Sequence, residues 1–168
     1  LAFALDALAI AAQALVGKGL GAGQLDDVRE VLRRCVQWGI GSGVVLGAAT
    51  LALSPVAAGL FTSDPSVAAL LPIALAIIGV SAPLGGYVFV LDGVLIGAGD
   101  ARYLALTGVL NVAVFAPLAV AVVAWGSPDT GGLAALTAAF AFGYLGARAL
   151  TLGLRARGHA WMRPGAER

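Results

Sequence analysis

Two carboxylates stand where charge is expensive. Asp92 follows a charge-free run from Pro65 to Leu91, and Asp6 lies in the apolar stretch Leu1 to Val16 with Gln13 beyond it. An ionisable group in hydrocarbon costs roughly 2.5–3.5 kcal/mol on insertion scales, so it normally faces a protein interior or a water-filled path. A carboxylate held in low dielectric does one kind of chemistry readily: it is neutralised, reversibly, by a proton or a small metal cation. Its cost when bare ties its occupancy to the conformation around it. Asn111, Ser42 and Tyr144 are polar groups set in other apolar runs. For these the competing reading is a hydrogen bond between helices with no further role.

The elements that position these groups follow from the charge-free runs. A spanning helix needs about 20 mostly apolar residues, and Cys35 to Ser63, Pro65 to Leu91 and Tyr103 to Pro128 each exceed that length. Thr130 to Ala147 is shorter, and reaches full length if Arg148 lies near the bilayer edge, where a long side chain can snorkel. The expected fold is therefore an all-α integral membrane bundle, with one truncated span, residues 1–17, and four complete spans, 36–61, 68–97, 103–125 and 133–154. Residues 24–35, with Leu25, Val28, Val31 and Leu32 at helical spacing between charges, read as an amphipathic connector lying on the membrane surface. Residues 155–168 form a basic tail with an interfacial Trp161 and an isolated His159. Thr62 to Ser66 reads as a tight turn, and Gly126 to Gly132 as a loop.

Composition removes other classes. Hydrophobic residues make up 60% of the chain and charged residues 11%, against about 25% charged in soluble domains. Mean hydropathy is +0.96. The basic residues do not cluster into the surface that nucleic acid requires. Cys35 is the single cysteine and cannot close an intrachain disulfide, and Cys and His are too few for a structural zinc site. No cofactor and no metal centre is expected beyond a coupling ion. The first apolar run has no basic n-region and does not read as a signal peptide; it reads as the inner part of a span that begins earlier.

Lysine and arginine distribution orients the spans. The stretch Lys18 to Arg34 has four, the turn Gly97 to Tyr103 has Arg102, and the tail from Arg155 has four, while the turns at Thr62 to Ser66 and Gly126 to Gly132 have none. The basic segments, and the C-terminus with them, are therefore expected on the cytoplasmic side of a bacterial-type plasma (inner) membrane. Counted at 1.5 Å per residue from these anchors, Asp6 lies roughly 18 Å deep, Tyr144 roughly 16 Å, Asp92 roughly 15 Å, Asn111 roughly 13 Å and Ser42 roughly 12 Å. In a core about 30 Å thick these depths fall near the midplane, where transporter sites lie beside interrupted helices. The span carrying Asp92 holds Pro72, Pro83, Gly85 and Gly86 and is the least regular of the set.

Two motifs resemble those of the multidrug and toxic compound extrusion (MATE) transporters, in particular the DNA-damage-inducible protein F branch. One runs Ala4-Leu-Asp6-Ala-Leu-Ala-Ile-Ala-Ala-Gln13-Ala-Leu-Val-Gly17, followed by Leu20-Gly-Ala-Gly23. The other runs Phe89-Val-Leu-Asp92-Gly-Val-Leu-Ile-Gly-Ala-Gly-Asp100-Ala-Arg-Tyr-Leu104. Leu60-Phe-Thr-Ser-Asp-Pro65 adds to the match. The resemblance implies about twelve helices in two pseudo-symmetric halves, of which this chain matches the end of the eighth through the twelfth. It also implies a missing amino-terminal half as partner, and antiport in which Na⁺ or H⁺ entry drives export of amphipathic, often cationic, small molecules. Asp92 matches the coupling-ion carboxylate of the tenth helix. Asp6 is the second coupling candidate, and Asn111, Tyr144, Ser42 and Gln13 are candidates for the cavity.

Two other classes compete. Gly97-Ala-Gly99-Asp100 matches the short Gly-x-Gly-Asp pattern of intramembrane aspartyl proteases, but such an enzyme needs a second aspartate to share a proton, and no Tyr-Asp sequence occurs in the chain. A Gly-rich turn ending a helix accounts for the same residues. A non-transporting membrane scaffold leaves Asp92 without a reason.

Overall fold

The computed structural model describes residues 2–61, 63–126 and 130–163. Leu1, Thr62 in the first expected turn, residues 127–129 in the second loop and residues 164–168 of the tail lie outside the described residues. The described residues form helices α1 (Ala2–Gly21), α2 (Leu25–Phe61), α3 (Pro65–Gly97), α4 (Ala101–Trp125), α5 (Thr130–Ala138) and α6 (Leu145–Arg157), with a π-helical segment, π1 (Ala139–Tyr144), joining α5 to α6. Five stretches are long and apolar enough to cross a membrane: Ala2–Gly21, Leu25–Ala57, Val67–Gly97, Ala101–Trp125 and Gly131–Arg157. This is a polytopic helical bundle.

Helix α3 is its centre and touches every other helix. Small residues make this possible, because packing in lipid depends on how closely backbones approach. On one side Gly39, Gly43 and Gly47 of α2 face Gly86, Ala82 with Pro83, and Gly79 of α3, with no room for an added Cβ. On another side Gly93 and Gly97 lie against the backbone of Ala9 and Gln13 in α1. Asp92 therefore belongs to a helix wedged between two neighbours at backbone contact. Prolines 72 and 83 sit inside α3 without ending it, as neighbouring helices in a membrane allow.

Two turns are closed alike. Gly23 and Gly99 both take φ of +72°, a backbone region open to glycine at little cost. Asp100 N donates to Leu95 O at 3.0 Å and Gln24 N to Gly19 O at 2.9 Å, so α3 and α1 each end in a Schellman-type cap.

Three expectations change. Residues 24–35 are not a separate surface helix: α2 runs unbroken from Leu25 through the span. Nothing between Val28 and Trp38 breaks a helix, and Glu30 pairs with Arg33 and Arg34 along it at 2.9 and 2.6 Å. The apolar face of this turn is used inside the protein, where Val28, 1% exposed, packs with Val16, Leu20, Leu95 and Leu152. Helix α2 has 37 residues, about 55 Å at 1.5 Å each, so its charged first turns extend beyond a hydrocarbon core about 30 Å thick. Second, the last span is interrupted by π1 between Ala139 and Tyr144. Third, Trp161 is buried in the same cluster rather than standing at an interface, and its indole N–H donates to Ala156 O at 3.3 Å. His159 is exposed.

Candidate functional site

Asp92 is not alone. Arg148, two turns before the end of α6, reaches across to it with the guanidinium fork: Nη2 donates to Oδ1, and Nε to Oδ2 at 3.4 Å. The Arg148 and Asp92 side chains are 13% and 28% exposed respectively. Arg148 Nη1 also points at α4, 3.4 Å from both Leu104 O and Thr107 Oγ1. Thr107 donates its own proton to Tyr103 O at 2.9 Å, which leaves its hydroxyl oxygen free to accept. Instead of snorkelling to the bilayer edge, as its position near the end of the span suggests, Arg148 turns inward, because a carboxylate of opposite charge lies within its reach. The desolvation cost of each charge is offset by the other and by the fork geometry.

Asp6, Gln13, Phe89, Asp92, Ile96 and Arg148 line one cleft of about 320 Å³ between α1, α3 and α6. The structure thus brings both coupling candidates and one cavity candidate to a shared space. Asp6 stands exposed on its helix and has no ion-pair partner among the described residues, unlike Asp92. The arrangement holds two carboxylates and one guanidinium, a net charge of −1, in a setting where charge is poorly screened.

Phe89 also forms part of a second cleft of about 460 Å³, lined by Leu5, Ile78, Phe115, Leu136 and Phe140 among others. Tyr144 is next to this apolar space rather than in the acidic cleft. Its ring stacks on Phe140 with centroids 5.4 Å apart, and Phe115 meets the pair edge-on at 5.9 and 6.1 Å. Ser42 lines a different groove with Ala4, Leu8, Trp38 and Leu46. Asn111 is fully buried on α4, and neither its amide nitrogen nor its oxygen has a hydrogen-bond partner among the described residues. Equal depth did not give these three a common face with Asp92.

Asp100 stands at the N-cap position of α4, but its side chain makes no capping hydrogen bond. Its carboxylate accepts from Arg155 Nε at 2.6 Å and Nη2 at 3.2 Å. Arg155 lies 4.7 Å over the Tyr103 ring, and Tyr103 donates its hydroxyl proton to Thr151 O at 2.6 Å. Asp100 thus serves as an anchor between α3, α4 and α6.

Arg148 is the site residue that the sequence reading missed. A signal was available: Arg148 precedes Arg155 by seven residues and Asp92 precedes Asp100 by eight, so on parallel helices the two pairs stand about two turns apart at matching heights.

A family model described as MatE matches residues 1–125. Protein DETOXIFICATION 43 of Arabidopsis thaliana is 33% identical over 113 residues, which is 66% of this chain and 22% of that protein. Protein DETOXIFICATION 44, chloroplastic, from the same plant, is 33% identical over 105 residues, covering 62% of this chain and 20% of its own. The chain thus spans about a fifth of the curated relatives it matches. No solved structure matches it. With the family model covering α1 through α4, including Asp6, Asp92 and the seams that hold them, the chain belongs to the MatE family.

Proposed function

We propose that this chain is the C-terminal portion of a cation-coupled exporter of amphipathic, often cationic, small molecules. The observation that carries the reading is the pair of clefts meeting at Phe89: one acidic, with Asp6, Asp92 and Gln13, the other apolar and aromatic. An amphipathic cation has a matching charge for the first and a matching body for the second. Entry of Na⁺ or H⁺ neutralises the carboxylates, removes the attraction for the exported cation's charge, and so makes the two occupancies exclusive. Exclusive occupancy of one site exposed alternately to two sides is antiport. Alternating access takes two bundles rocking about a site between them; this chain supplies one, and the amino-terminal half of the transporter supplies the other. In this reading the basic segments and C-terminal tail face the cytoplasm of a bacterial-type plasma membrane, with lysine and arginine placement supporting the orientation.

The test is Asp92→Asn in the full-length transporter. Loss of ion-driven export with normal membrane insertion is the expected result. Because the amide leaves the half-buried Arg148 without its carboxylate, which is itself destabilising, Asp92→Asn/Arg148→Gln is measured beside it. Undiminished export by either variant would remove Asp92 from the coupling role.

A further inference from the structure

We propose that Arg148 is a tethered counter-cation, which occupies Asp92 in the unloaded site and yields it to the coupling cation by moving onto α4. The proposal rests on the reading of Asp92 as the coupling carboxylate. Three observations carry it. First, the guanidinium takes both oxygens of Asp92, so a cation that binds this carboxylate through the cleft competes with a donor on each oxygen. Second, a landing place already exists. Nη1 is 3.4 Å from Leu104 O and from Thr107 Oγ1, and Gly108 next to them contributes no side chain, a Cβ there standing 3.9 Å from Nη1. A guanidinium has five donors and keeps its charge, so it can leave the carboxylate and remain hydrogen-bonded within the protein. Third, Arg148 lies four residues beyond the end of the π1 segment. A π turn holds one residue more than an α turn, and such segments recur at functional sites. Closing it to α geometry shifts the start of α6 and carries Arg148 with it.

The charge balance then has a definite consequence. Asp6, Asp92 and Arg148 are the charged groups that line the cleft, from α1, α3 and α6, and they sum to −1. One monovalent cation makes the cleft neutral with Arg148 retained on α4. A second would enter against the guanidinium as well as against the first.

Full-length transporter in liposomes tests this, with ethidium as the exported probe and whichever of a Na⁺ or H⁺ gradient drives it. Arg148→Gln removes the competitor. The half-saturating cation concentration should fall by about tenfold or more, equivalent to about 1.4 kcal/mol, while the maximal rate falls because the cation is no longer displaced on release. Asp92, freed of its fork, should react several-fold faster with dicyclohexylcarbodiimide, and the driving cation should protect it. Arg148→Lys keeps the charge without the fork, and both quantities should lie between those of the parent and the glutamine variant. Parent-like half-saturation and labelling in both variants, with Asp92→Asn inactive, overturns the counter-cation and leaves the coupling reading intact. Active Asp92→Asn overturns the coupling reading itself. If Arg148→Gln fails to insert, the lysine variant alone decides, and parent-like values there overturn the proposal.

Discussion

The seam between α2 and α3 can be measured with two glycines two residues apart. Gly43 faces α3, and a Cβ built on it would lie 2.6 Å from Pro83 Cα and 2.9 Å from the Ala82 carbonyl carbon. Ordinary carbon–carbon contact is about 3.5–4.0 Å, so the two backbones must part by roughly 1 Å. Overpacking of this sort costs about 1–3 kcal/mol, and the better helix propensity of alanine returns about 1 kcal/mol. Gly41 has nothing within 4 Å of its Cβ position, so Gly41→Ala has only the propensity gain of up to about 1 kcal/mol. Gly43→Ala should therefore be the less stable of the two by about 1–3 kcal/mol. Denaturant titration of both full-length variants in mixed micelles, followed by tryptophan fluorescence, reads the difference directly. Equal midpoints, or a lower midpoint for Gly41→Ala, would refute the backbone contact. They would also remove the reason for treating α3 as held in place by it.

Four more outcomes are expected. Asp100→Ala should lower stability by about 1–3 kcal/mol, because it strands the Arg155 guanidinium between α3 and α4, and Tyr103→Phe by about 1 kcal/mol through the lost bond to Thr151 O; the same titration checks both. Asn111→Leu should be neutral or stabilising by about 1 kcal/mol, since it removes two polar atoms that have no partner among the described residues from a buried position; a loss of stability would mean that the amide is satisfied by a group outside the described residues. Cysteines at Ser63 and Ser127 should react with an impermeant maleimide from outside intact cells while one at Gln24 does not, and the opposite pattern reverses the orientation.

Where one residue type decides the local structure, the sequence was legible. The charge-free runs became helices, and the Gly-rich turn at Gly97 to Asp100 became a left-handed cap at Gly99; that Asp6 and Asp92 line one cleft was not readable from their depths and comes from the close packing of α1 on α3. What was not legible depends on azimuth. Depth can be counted along a chain, but whether Asn111, Ser42 and Tyr144 turn toward Asp92 is set by rotation of each helix, which 1.5 Å steps do not encode. Arg148 was misplaced for that reason: its distance from the helix end allowed snorkelling, and only the packing of α6 on α3 brings it to a carboxylate 56 positions earlier. The connector failed differently. Its amphipathic spacing was read correctly as a helix, but spacing alone does not say whether the apolar face meets lipid or the protein's own core. The π turn has no pattern of its own in Ala139 to Tyr144.

The two arginine–aspartate pairs fasten α6 at two heights, Arg148 to α3 and Arg155 to the start of α4, and they are not mechanically equal. Arg155 is held by Asp100 and by the face of Tyr103, whose hydroxyl is itself fastened to Thr151. Arg148 has Asp92 on one side and an alternative set of acceptors on the other. The first behaves as a pin and the second as a latch. A rod pinned near one end can swing but cannot slide, so releasing the latch about 10 Å from the pin displaces α6 sideways without changing its register on α3. On return the same arginine meets the same aspartate, and the helix pair resets without a choice of partners.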